Sequence, residues 1–130
     1  TSGYGKIPLK STSLNRTANL MKYMTKYKFG TIVLVAFQET DGKKKQRPAL
    51  VIADTGDDDT VLAPITTTER KGKGDYHIKN WQQSGLLLDS WLRLAKIACV
   101  SKRDIHTQLG VLSADDKKQT VRVWNSLYKF

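Results

Sequence analysis

A single cysteine in 130 residues, Cys99, rules out an internal disulfide and any cysteine-based metal centre. It lies in the apolar run Ile97-Ala98-Cys99-Val100, a setting that predicts a buried, inert thiol and a reducing compartment. No segment approaches the roughly 18 consecutive apolar residues needed to cross a bilayer. Nor does an apolar h-region mark a secretory signal near the start, and a soluble, cytoplasmic protein without membrane contact is expected. Acidic residues are also scarce: 12 stand against 22 Lys and Arg, for a net charge of +10. The shortage is sharpest in residues 1–24, which hold Lys6, Lys10, Arg16 and Lys22 and no acid, leaving +6 for the rest. Such a surplus favours a polyanionic partner, because cations that neutralise phosphates release their condensed counterions.

What is present divides into two parts. Residues 1–23 show neither a two-residue nor a 3.6-residue apolar period and are rich in Ser, Thr, Gly, Asn and Lys. They read as a flexible basic extension, with a non-native origin or an RNA-binding arm as the alternatives. Residues 24–130 read as one domain, mostly β with a small helical part, in which short strands imply a strongly bent sheet.

Gly30–Phe37 is β-branched and apolar on both faces, as a buried strand should be. Asp41-Gly42 marks a turn into the loop Lys43-Lys44-Lys45, and Pro48–Ala53 reads as the second strand, opening on its proline. Thr60–Thr67 is the third, where Pro64 predicts an edge position or a bulge. A mobile basic loop over residues 69–74 carries Lys71 and Lys73, and Asp75–Lys79 alternates as a short strand. Ser90–Ile97 alternates as another, and Arg103–Thr107, with His106, reads as a helical turn. Ser113-Ala114-Asp115-Asp116 opens a helix whose apolar face is Val121, Trp124, Leu127 and Tyr128. Asp54 and Asp57–Asp59 lack the spacing of a calcium loop and read as a solvated hairpin, so no metal or cofactor is assigned.

Two strand ends carry residues suited to phosphate chemistry. Arg47 supplies a permanent charge and a fork of donors, and Thr66 a hydroxyl, from neighbouring strands. Metal-free RNA cleavage by the ribose 2′-OH needs the phosphorane oxygens stabilised and two protons managed. On spacing alone the pair reads rather as a surface arginine and a filler threonine, since such pairs are common. His77 reads as a substrate-groove contact, since a two-histidine mechanism would need His106 beside it. Among the tryptophans, Trp81 is the candidate for an exposed base-stacking platform, while Trp91 and Trp124 read as core or interface residues.

An ordered set of short motifs settles the choice for Arg47 and Thr66. Gly30-x-Ile32-Val33-Leu34-Val35 comes first, then Arg47-Pro48-Ala49-Leu50-Val51 and Pro64-Ile65-Thr66-Thr67. Gly85-Leu86-Leu87-Leu88-Asp89-Ser90 and Leu109-Gly110-Val111-Leu112-Ser113 follow. In this order they resemble the MazF/PemK toxin family from about Phe29 to the C-terminus. The resemblance implies an SH3-like barrel with a C-terminal helix, a homodimer, and a sequence-selective, metal-independent endoribonuclease acting on single-stranded RNA. It implies a type II toxin whose antitoxin lays an acidic or amphipathic segment in a groove of Arg47, Lys44, Lys71 and Arg93. Arg47, Thr66 and Arg93 take the catalytic positions, and Lys44, Lys45, Thr67, Lys71, Lys73 and His77 are the expected substrate contacts. Ala95 departs from the PemK branch, which has an acid two positions after the arginine, and leaves the acceptor of the 2′-OH proton open. The rival readings are a CcdB-like gyrase poison of the same fold and a catalytically silent nucleic-acid-binding module.

Overall fold

Alternation along strands with two buried faces sorts the apolar residues into two cores. A computed structural model describes residues 25–130, so the reading of residues 1–23 as an extension lies outside the described residues. The first strand, β1 (Thr31–Gln38), pairs antiparallel with β2 (Lys44–Ala53), and β2 with β3 (Asp59–Thr66). Ile32, Leu50, Ala63 and Ile65 enter one cluster with Ile78, Leu86, Leu92, Leu94 and Leu112. Val33, Val35, Ala49, Val51 and Leu62 enter the other with Ile105.

Four short strands and a helix complete the chain: β4 (Asp75–His77), β5 (Trp91–Arg93), β6 (Ala98–Ser101), β7 (Ile105–Val111) and α1 (Ala114–Leu127). The order across the sheet is β4-β5-β3-β2-β1-β7, with β6 also paired to β3. Only the 3-10 turn Lys102–Asp104 joins β6, bonded to β3, to β7, bonded to β1. The sheet must therefore curl around the second cluster, and the result is a small barrel left open between β6 and β7.

Helix α1 closes over the first cluster with Val123, Trp124 and Leu127. Ser113 caps it by accepting the Asp116 N–H at 3.1 Å, as the capping pattern predicts. Asp116 is buried and accepts from the Tyr76 hydroxyl at 2.5 Å and from the Asn80 and Lys79 N–H groups at 2.8 and 3.0 Å. Burial alone would raise its carboxyl pKa, but these donors and Ser113 outweigh it and hold it below the ordinary value. The same contact, after burial itself, pushes the Tyr76 phenol up.

Several expectations need correction. β2 begins at Lys44, so Pro48 lies inside the strand opposite Leu34. Its missing donor is tolerated because pairing with β3 reaches only Ala49. β3 is a central strand, not an edge; Pro64 sits where it passes from β6, paired to Leu62, to β5, paired from Ile65. The extended pattern of Ser90–Ile97 stops at Arg93, and Leu94–Lys96 turns as a 3-10 helix. His106 lies on β7. Val121 is exposed because the buried face runs through Asp116, Thr120, Trp124 and Leu127. Trp81 packs half-buried against the first core rather than standing free.

Cys99 is exposed, on a strand that borders the sheet and is paired, among the described residues, to β3. Asp54 is no solvated turn residue: its side chain is buried against Lys102 Nζ at 3.0 Å and accepts the Tyr27 N–H at 2.7 Å. Burial would raise its carboxyl, yet the Tyr27 and Gly56 N–H groups and Lys102 bring it below the ordinary value. At the family motifs, Gly85 (φ +87°) and Gly110 pack so closely that a Cβ on Gly85 would stand 2.1 Å from the Leu109 carbonyl oxygen.

Candidate functional site

Register puts the chemistry-bearing residues on one face. Pairing between β2 and β3 ends at Ala49 and Pro64. Two residues further along each strand stand Arg47 and Thr66, on the same face as that last pair, because side chains alternate. Thr66 pairs with Trp91, Trp91 with His77, and Arg93 with Asp75, and cross-strand partners share a face. Ile65 and Leu92 point the other way, into the first core. Beyond the barrel proper, the face that encloses the second core becomes an open surface of charge and aromatic rings.

Arg47 is held by Glu39 at the end of β1: Nε and Nη2 each lie 3.1 Å from one carboxylate oxygen. With 43% of its side chain exposed, the guanidinium can still present donors outward. Thr66 Oγ1 accepts the Thr68 N–H at 3.1 Å, which leaves its hydroxyl hydrogen to donate. Arg93 faces Asp75, but Nε is 3.7 Å from the carboxylate, and this buried nitrogen has no hydrogen-bond partner among the described residues. The other Asp75 oxygen accepts the Gly72 N–H at 2.9 Å, fixing the start of β4. His77 lies flat on Trp91, with centroids 4.4 Å apart and planes 12° apart, and its Nε2 is 2.6 Å from Asp89. Among the described residues no three His, Cys, Asp or Glu side chains gather to hold a metal ion.

A family model described as PemK-like, MazF-like toxin of type II toxin–antitoxin system matches residues 28–124, which span every residue of this face. The chain belongs to that family. Among solved structures it is similar to the Mycobacterium tuberculosis toxin MazF-mt6, with a TM-score of 0.63, 20% identity and coverage of 75% of this chain and 95% of that one. A mycobacterial endoribonuclease in complex with its cognate antitoxin matches with a TM-score of 0.63 at 14% identity, over 76% and 91% of the two chains. MazE–MazF from Deinococcus radiodurans matches with a TM-score of 0.60 at 16% identity, over 79% and 95%. At such identities these likenesses speak for the SH3-like barrel of the MazF toxins with its C-terminal helix. No curated protein matches the sequence.

In this PemK/MazF-family toxin the remaining expected contacts scatter. Lys44 turns to Asp104 at 2.9 Å, off the face. Lys45 is exposed and shares the parity of Arg47, with Phe37 as its cross-strand partner. Thr67 lies exposed just past the end of β3. Lys71 stands 3.7 Å from Glu69 in the exposed loop, and Lys73 is exposed in the same segment. Three carboxylates of the toxin were not foreseen as site residues: Glu39, Asp75 and Asp89. Glu39 could have been found from the tightness of the β1–β2 hairpin, but Asp75 needed the β4–β5 register. The family's acid after Arg93 is Ala95, exposed in the 3-10 turn, while a carboxylate reaches Arg93 across the strands from Asp75. No helix among the described residues is long and apolar enough to cross a membrane.

Proposed function

We propose that this toxin is a sequence-selective endoribonuclease that cleaves single-stranded RNA without a metal ion, with Arg47, Thr66 and Arg93 as its catalytic residues. The observation that carries the reading is Arg47, partly exposed and held by Glu39, on the same face by strand alternation as Thr66 and Arg93.

The scissile phosphate sits over Arg47 and Thr66. The Arg47 fork and the Thr66 hydroxyl donate to its non-bridging oxygens, and they stabilise the phosphorane more than the ground state because its charge is larger there. Glu39 accepts the 2′-OH proton as the 2′-oxygen bonds to phosphorus. The bond to the 5′-oxygen breaks with its electron pair, and that oxygen takes a proton from solvent. The products are a 2′,3′-cyclic phosphate and a 5′-hydroxyl. Arg93, whose side chain is 27% exposed and faces Asp75, presents its terminal guanidinium nitrogens to the same phosphate. Asp75 thus does across the strands the orienting that Ala95 cannot do from the chain itself. Lys45, Thr67, Lys71 and Lys73 line the approach of the strand, with Lys44 only once released from Asp104. The toxin works in the cytoplasm as a homodimer, and an acidic segment of its antitoxin silences it by covering the same cations.

Incubation of a long mixed-sequence RNA in excess EDTA, beside Arg47→Ala, tests this, with the cut ends mapped. Defined cuts bearing those end groups, slowed by about 100-fold or more in the variant, are expected. Absence of cuts, or equal cutting by both proteins, overturns the assignment. Inhibition of gyrase supercoiling without RNA cleavage would move the protein to the gyrase poisons.

A further inference from the structure

Thr66, Trp91 and His77 form one cross-strand row over β3, β5 and β4. An imidazole has two faces and an edge. Trp91 covers one face of His77, and Asp89 holds the edge at Nε2. The side chain is nonetheless 55% exposed, so the area left to solvent is mainly its second face.

We propose that this open face of His77, backed by Trp91 and held in plane by Asp89, is a stacking subsite for one unpaired base of the RNA. The inference rests on the ribonuclease reading and extends it to a particular base contact. Binding surfaces gain when the side chain that meets the ligand is already fixed, because less rotamer freedom is lost on contact. An isolated exposed histidine lacks that advantage, whereas here the ring is fixed from behind by an indole and at its edge by a carboxylate. Two strand spacings, about 10 Å, separate it from Thr66 on the same face, within reach of a nucleotide neighbouring the scissile phosphate. Every base has a flat π-face, so stacking here supplies affinity and register and leaves base discrimination to other contacts. Trp81, the tryptophan that the sequence favours for this task, is half-buried in the core. Trp91 takes part instead as the backing of the platform.

A short 2′-O-methyl RNA copied from a mapped cut site, which cannot be cleaved, serves as the probe, with single abasic positions scanned along it. The wild-type protein should lose about tenfold in affinity at one abasic position beside the cut. His77→Ala should bind the intact probe about tenfold more weakly and show no further loss at that position. His77→Phe, which keeps a flat ring but not the hydrogen bond to Asp89, should retain most of the affinity and of the abasic sensitivity. If His77→Ala keeps the abasic sensitivity, or His77→Phe behaves like His77→Ala, the subsite is refuted. If the wild-type protein cuts RNA yet no abasic position matters, the subsite alone falls. If it neither cuts nor binds RNA, the ribonuclease reading falls with it.

Discussion

The two sides of the short strand β4 treat charge in opposite ways. On the side facing α1, Tyr76 reaches Asp116, a carboxylate shut off from solvent that also receives two backbone N–H groups and the Ser113 hydroxyl. On the other side, Asp75 stands 3.7 Å from an arginine whose buried Nε has no partner, and His77 and Asp89 are half-exposed. A buried charge survives only when nearly all its hydrogen-bonding capacity is met. The Asp116 side meets that condition and fastens the helix to the sheet. The Arg93 side does not: among the described residues its buried Nε has no hydrogen-bond partner, and the nearest carboxylate is 3.7 Å away. Across β4, a fully satisfied carboxylate network fastens the helix on one side, while on the other the neighbouring Arg93 keeps a buried nitrogen without a partner among the described residues.

The sharpest way to break this comparison is Asp116→Ala. The Tyr76 hydroxyl and two N–H groups would lose their acceptor, at about 1–3 kcal/mol for each group left buried. Denaturant unfolding should show a loss of about 3 kcal/mol or more, with cleavage per folded molecule little changed. A loss below about 1 kcal/mol would mean that the network is not what secures the helix. Arg47→Ala should do the reverse. Its pairing with Glu39 is partly exposed, so stability should change by less than about 1 kcal/mol, while cleavage falls about 10²–10³-fold.

Acid sharpens the contrast further. The folded-state pKa values of Asp116 and Asp54 are both lowered, so below the unfolded value near 3.9 the unfolded chain binds protons that the folded one refuses. The stability that these two carboxylates contribute is fully present above about pH 4 and is lost as pH falls through their folded values. Melting temperatures across that range should drop steeply for the wild-type protein and less steeply for Asp116→Asn. The smallest effect belongs to Thr66. Thr66→Val should slow cleavage by about tenfold, the worth of one hydrogen bond to a charged group, and Thr66→Ser should restore most of it without a change in melting temperature.

Much of the fold could be read in the chain. The apolar Thr31–Val35 segment, the Ser113 cap and the order of the family motifs each act through local pattern, and each reappears in place. The errors cluster where a neighbour overrides that pattern. Ile97-Ala98-Cys99-Val100 is apolar enough to be buried, yet β6 borders the sheet and leaves Cys99 in solvent. Asp54 sits in an acidic run that should be solvated, until Lys102, far along the chain, arrives to pair with it. Pro64 argues for an edge, but a central strand can hold a proline where it changes partners.

By itself, the sequence determined the family, the β-rich architecture with a C-terminal helix, and Thr66 at the end of a strand, because these depend on residue type and spacing along the chain, whereas Arg47, expected at a strand end, lies inside β2. Only the tertiary structure decided that Glu39 meets Arg47, that Asp75 rather than a residue at Ala95 meets Arg93, and that His77 is laid against Trp91. Those contacts depend on strand register and on which face each side chain takes. Both are fixed by packing between segments distant in sequence, and a shift of one residue in any strand would reverse them.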